Sequence, residues 1–112
     1  MASPDTPVEK LCKLLRKERV DEFNRLRAET PRVDLSGLDF SGLDLRGLDA
    51  RGLDLRGCHF RQADLRGIDF SEAGLEGAAI DGAKISGTCF PKALPAEEIN
   101  LSLLHGTCMR YR

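Results

Sequence analysis

Residues 33–92 read VDLSG LDFSG LDLRG LDARG LDLRG CHFRQ ADLRG IDFSE AGLEG AAIDG AKISG TCFPK, twelve blocks of five without a gap. The third position is apolar in every block, from Leu35 and Phe40 at the start to Ile85 and Phe90 at the end. The first position is apolar or small throughout, running from Val33 to Thr88. Position two is Asp in seven of the first eight blocks, with His59 the exception, and position five is Gly in nine of twelve. A period of five matches neither the 3.6 of an α-helix nor the 2 of a plain strand. Positions one and three share a face, as in a very short strand, and position five supplies a bend. One such unit cannot bury its apolar side alone, so the units must close into a coil and stack.

These blocks resemble the pentapeptide-repeat family, whose usual motif is A-(D/N)-L-x-x, and the resemblance spans residues 33–92. It implies an all-β solenoid: a right-handed quadrilateral β-helix with four blocks, hence twenty residues, per coil. Twelve blocks then make about three coils. Residues twenty apart stack, which predicts the columns Leu35–Leu55–Leu75, Phe40–Phe60–Ile80, Leu45–Leu65–Ile85 and Ala50–Phe70–Phe90. The family usually places Ala at position one, whereas the first coil here carries Val33, Leu38, Leu43 and Leu48. That bulky end is a surface another segment must cover.

The flanks supply covers. Residues 1–32 read as an N-terminal helical cap. Thr6-Pro7-Val8-Glu9 has the form of a capping box with Pro at the first helical position. Val8, Leu11, Cys12 and Leu15 share one helical face; Val20, Phe23 and Leu26 form a second stripe, closed by Thr30-Pro31. The charged run Arg16-Lys17-Glu18-Arg19 is either a break between two helices or the exposed middle of one. Residues 93–112 read as a C-terminal helix and tail. Pro95 opens the helix, Glu97 and Glu98 suit its first turn, and Gly106 follows its last.

Composition narrows the function. The chain has 112 residues and a net charge of -1, which speaks against direct nucleic-acid binding. It has no run of 18 apolar residues and no apolar signal core, so neither a membrane partner nor export is expected, and a cytoplasmic location is. Cys12, Cys58, Cys89 and Cys108 lack metal-site spacing and read as free thiols. Catalytic motifs are lacking and a column filled with side chains offers no interior pocket, so neither an enzyme nor a cofactor is expected.

Charge on the column is arranged in two series. Arg46, Arg51, Arg56, Arg61 and Arg66 hold position four of five consecutive blocks and circle the column. Either they neutralise the neighbouring Asp residues or they grip an acidic partner. With Arg110 and Arg112 of the tail they are the candidate partner-binding residues. The leading function is a non-enzymatic interaction or adaptor module, of bacterial source as the resemblance suggests, binding a protein and possible as a homodimer. An alternative follows from family members that bind type II topoisomerases: protection or inhibition of DNA gyrase by an acidic stripe imitating phosphates. One duplex turn is about 34 Å, roughly twice the height of three coils. A second alternative is a small metal or redox sensor built on Cys89, Cys108 and His105.

Overall fold

The computed structural model describes residues 7–30 and 32–112. Its elements are α1 (Pro7–Arg16), α2 (Val20–Arg27), β1 (Val33–Asp34), β2 (Leu53–Asp54) and α3 (Ala96–His105). β1 and β2 pair in parallel, Val33 with Leu53 and Asp34 with Asp54. Isolated parallel bridges repeat the same twenty-residue offset, among them Asp39 with His59, His59 with Ala79, and Asp69 with Cys89. The repeat therefore lies as three stacked layers of four blocks, residues 33–52, 53–72 and 73–92.

Strand content is lower than the all-β expectation: among the described residues, two strands of two residues stand beside the three helices of the caps. The reason is local. Each block extends for only positions one and two before it turns, so most pairing is by single bridges. The turn falls at position five in the left-handed region, as at Gly47 with φ 85°. Gln62 takes the same conformation with φ 57°, at a steric cost glycine does not carry.

Positions one and three fill the interior. Leu35, Leu55 and Leu75 are buried one above another, as are Phe40, Phe60 and Ile80. Phe40 stacks on Phe60 at 5.8 Å between ring centroids, and Phe70 on Phe90 at 6.4 Å. Phe60 and Phe70, from opposite sides of the middle layer, meet at 6.3 Å. Those two rings close the centre of the stack.

The N-terminal segment forms two helices. α1 ends in a Schellman turn, with Arg19 N–H donating to Leu14 C=O and Glu18 N–H to Leu15 C=O, both at 2.9 Å. Glu18 sits at φ 59°, where Gly is usual. The charged run hides this stop from a sequence reading. Leu11, Leu15, Val20 and Phe23 are buried in one cluster with Val33, Leu35, Phe40 and Leu48, so the helices cover the bulky first layer. Leu26 departs from the expected stripe: it is 38% exposed, while Arg27 is 4% exposed. Positions 20, 23 and 27 face inward on α2, and Leu26 falls a third of a turn away. Arg27 instead reaches the first layer, 3.4 Å from the Asp49 carboxylate. Thr6 and Pro31, and with them the capping box and the proline stop, lie outside the described residues.

Polar side chains finish the first layer's edge. The Glu18 carboxylate accepts from Asp44 N–H. Asn24 accepts from Asp49 N–H at 2.9 Å and donates to Gly47 C=O at 2.8 Å. At the far end, Ser102 Oγ of α3 accepts from Ile80 N–H at 3.0 Å, and Leu103 C=O from Gly82 N–H at 3.1 Å. Tyr111 Oη accepts from Leu75 N–H at 2.8 Å. Gly106 ends α3 at φ 70°.

Two substitutions test this account. Gln62→Gly is expected to raise stability by about 0.5–1 kcal/mol, read by urea unfolding, because it relieves a left-handed non-glycine residue. Phe23→Ala is expected to cost about 3–5 kcal/mol in the same assay, because the ring is fully buried between cap and first layer.

Candidate functional site

The surface of the stack is set by positions two and four. In blocks ending Arg-Gly, the Asp Oδ1 accepts from the backbone N–H two residues on, at 3.2–3.3 Å, closing an Asx turn. The same carboxylate then holds the Arg side chain as a fork. Arg46 donates from Nε and Nη2 to the two Asp44 oxygens at 3.0 and 2.8 Å. Arg51 grips Asp49 at 3.0 and 3.1 Å, Arg56 grips Asp54 at 2.9 and 2.7 Å, and Arg66 grips Asp64 at 2.9 and 2.7 Å. Where position four is Ser, the Ser36 and Ser41 hydroxyls donate to Asp34 and Asp39 instead.

Arg61 differs because His59 stands where its block would carry Asp. It turns to Asp81 in the next layer, at 3.4 Å. Only Arg46 and Arg66 share a side, with Arg46 Nε 3.4 Å from Asp64. Arg51, Arg56 and Arg61 stand on three other sides, so the five do not converge into one patch. All five remain 42–72% exposed at the side chain. In the tail, Arg112 lies 3.4 Å from Glu97 and 3.8 Å from Glu98, and Arg110 N–H donates to Glu98 at 2.8 Å.

The pairing shows in the acidities. Hydrogen bonds from Arg46, Arg51, Arg56 and Arg66 hold Asp44, Asp49, Asp54 and Asp64 below the usual carboxylate range, and Asp64 is drawn down to about 2. Ser hydroxyls do the same for Asp34, Asp39 and Asp69. Sequence reasoning placed both series correctly around the stack but left open what each did. Alternation within a block does not say whether Arg turns to its own Asp or outward.

The cysteines do not assemble. Cys89 extends the Asp69 ladder on the fourth side. Cys108 precedes Met109, which pairs with Ala78 and Gly77 on the second and first sides. Among the described residues, no group of three or more His, Cys, Asp or Glu side chains is placed to hold a metal ion. The metal form of the Cys89, Cys108 and His105 alternative has no three-ligand group among the described residues, and the tail turns along other sides of the stack. Cys58 is buried with Sγ 3.0 Å from Leu35 C=O, and burial pushes its thiol up to about 11. Burial likewise raises Cys12.

Grooves lie outside the stack. One, of about 610 Å³, runs between the α1–α2 turn and the third side and is lined by Glu18, Arg19, Glu22 and Arg46. Within it Arg19 pairs with Glu22 at 2.7 Å, and Glu18 holds the Asp44 amide. Another, of about 470 Å³, brings His59, Arg61, Asp81 and His105 to the second side. Sequence reasoning missed Glu18 and Asn24 as edge partners, since nothing in a helix pattern marks a side chain that completes a neighbouring strand. No helix of the described residues is long and apolar enough to cross a membrane.

Because the folded carboxyls are more acidic than in the unfolded chain, their pairing stabilises the fold above about pH 4. That contribution is lost as pH falls through the depressed folded values. Urea unfolding at stepped pH is expected to show stability falling between about pH 4 and 2, with a shallower fall in Asp64→Asn.

Comparison with protein families matches the pentapeptide repeats model, in 8 copies, to residues 32–62 and 54–91. Comparison with curated proteins found no match.

Proposed function

Because the chain belongs to the pentapeptide-repeat family, a family of generally non-enzymatic repeat proteins, we propose that it is a protein–protein interaction or adaptor module built on a three-coil right-handed quadrilateral β-helix. The observation that carries this reading is the filled centre. Phe60 against Phe70 fills the middle of the stack, so the reading turns to its surface. There, forked pairs hold long side chains on three sides, and Arg61 stands against Asp81 on the fourth.

Arg46, Arg51, Arg56, Arg61 and Arg66, with Arg110 and Arg112, are the contact residues of this proposal. A guanidinium has five N–H donors, and an Asp fork takes two, leaving others toward solvent. A partner carboxylate can share them without releasing the Asp. The gyrase alternative has less support, because an acidic stripe imitating phosphates needs uncompensated charge and the carboxylates of Asp44, Asp49, Asp54 and Asp64 are bound to Arg.

Affinity capture from the native host, read by mass spectrometry, is the test. One stoichiometric partner is expected with the native chain and its loss with Glu at the five belt positions, folding being checked by circular dichroism. Recovery of gyrase subunits would replace this reading with mimicry, and absence of any stoichiometric partner would overturn it.

A further inference from the structure

The C-terminal cover closes only half of the last layer. On its first two blocks the outward N–H groups of Leu75, Gly77, Ile80 and Gly82 all have acceptors. Leu75 and Ile80 are each 1% exposed. The next two blocks differ. No described residue accepts from the N–H of Ile85, Gly87 or Phe90, and none donates to the C=O of Ala83 or Thr88. Ile85 and Phe90 are half-buried, although Leu65 and Phe70 directly beneath them are buried. Ser86, Gly87 and Cys89 are exposed. Ile99 and Leu103 of α3 are also half-buried and pack on the same core. Residues 83–92 thus leave a parallel edge open beside an apolar floor.

The chain's own tail shows what such an edge takes. Residues 107–112 carry no helix or strand and run along the closed half. Met109 N–H donates to Ala78 C=O at 2.9 Å, and Met109 C=O accepts from Gly77 N–H at 2.6 Å. Two residues on, Tyr111 meets Leu75. Met109 is fully buried and Tyr111 half-buried, whereas Cys108 and Arg110 between and before them are exposed. Alternation of apolar and polar residues is therefore the pattern this end of the stack accepts.

We propose that the open edge of residues 83–92 is a strand-addition site for an extended segment of a partner protein with apolar side chains at alternate positions. Main-chain pairing to Ile85, Gly87 and Phe90 supplies register, and the floor of Ile85 and Phe90 selects the apolar positions. The exposed Lys84 and Lys92 favour acidic residues at the outward positions. The same lysines disfavour pairing of two such edges from two copies, which would bring like charges together. This inference rests on the interaction-module reading and names the surface and the partner's chemistry.

The test uses the full chain, labelled with nitrogen-15. The probe is a pool of acetylated hexapeptides alternating Glu, Ser or Thr with Leu, Ile, Val or Phe. A control pool of equal composition places the apolar residues together. The alternating pool is expected to shift the amide resonances of Ile85, Gly87 and Phe90 and slow their hydrogen exchange at least tenfold; the control pool is expected to do neither. Ile85→Lys is expected to abolish the effect, and mapping on the native chain stands without that variant. Absence of shifts at these amides, or shifts elsewhere, would overturn the proposal. So would concentration-dependent protection of these amides without peptide, which would assign the edge to a second copy. A captured partner held equally by Ile85→Lys would sink the edge proposal while sparing the module reading. Peptide binding without a captured partner would do the reverse.

Discussion

Each layer leaves backbone N–H and C=O groups pointing along the stack, and their need for partners organises the molecule. Inside, the next layer supplies them at a twenty-residue register, as when His59 pairs with Asp39 and its N–H donates to Leu38 C=O. At the ends no next layer exists. An unpaired buried amide costs as much as a lost hydrogen bond, so the chain must answer with whatever groups it has. It does so mostly with side chains: Glu18 and Asn24 at the start, Ser102 and Tyr111 at the finish. The α1–α2 turn, α2, α3 and the tail carry these groups into place, while the apolar faces of α1 and α2 cover the first layer.

The Asp–Arg pairs follow from the same geometry. A block gives two outward residues separated by one inward residue, so an Asp at position two and an Arg at position four meet on the outer face. The carboxylate closes the turn with one oxygen and forks the guanidinium with both. Exposed ion pairs contribute little individually. The stronger consequence is geometric: Arg46, Arg51, Arg56 and Arg66 are each held against their own block, and the surface is patterned with side chains of restricted freedom.

Much of this was legible in the sequence, because the repeat fixes which residues share a column. The Phe40–Phe60 and Phe70–Phe90 stacks, the outward His59 and Cys89, and the inward Cys58 all follow from counting by five and twenty. The failures fall where that count ends. Leu26 belongs to a helix whose inward face is chosen by contact with the first layer, and an arginine took the place an apolar stripe reserved for leucine. Glu18 stops α1 in a conformation that sequence preference gives to glycine, and its carboxylate finds a backbone amide 26 residues away. The path of Cys108 depends on how the tail docks, which no local pattern encodes.

The twenty-residue offset also constrains how such a chain can change in length. Loss of one block of five would rotate every later residue by one side, sliding Phe70 from above Ala50 and parting Arg61 from Asp81. Loss of four blocks would keep every column aligned and shorten the stack by one layer. Viable insertions and deletions are therefore quantised, with the complete layer as the unit of inheritance. The bonds of Glu18, Asn24, Ser102 and Tyr111 to the outermost layers do not depend on how many layers lie between them.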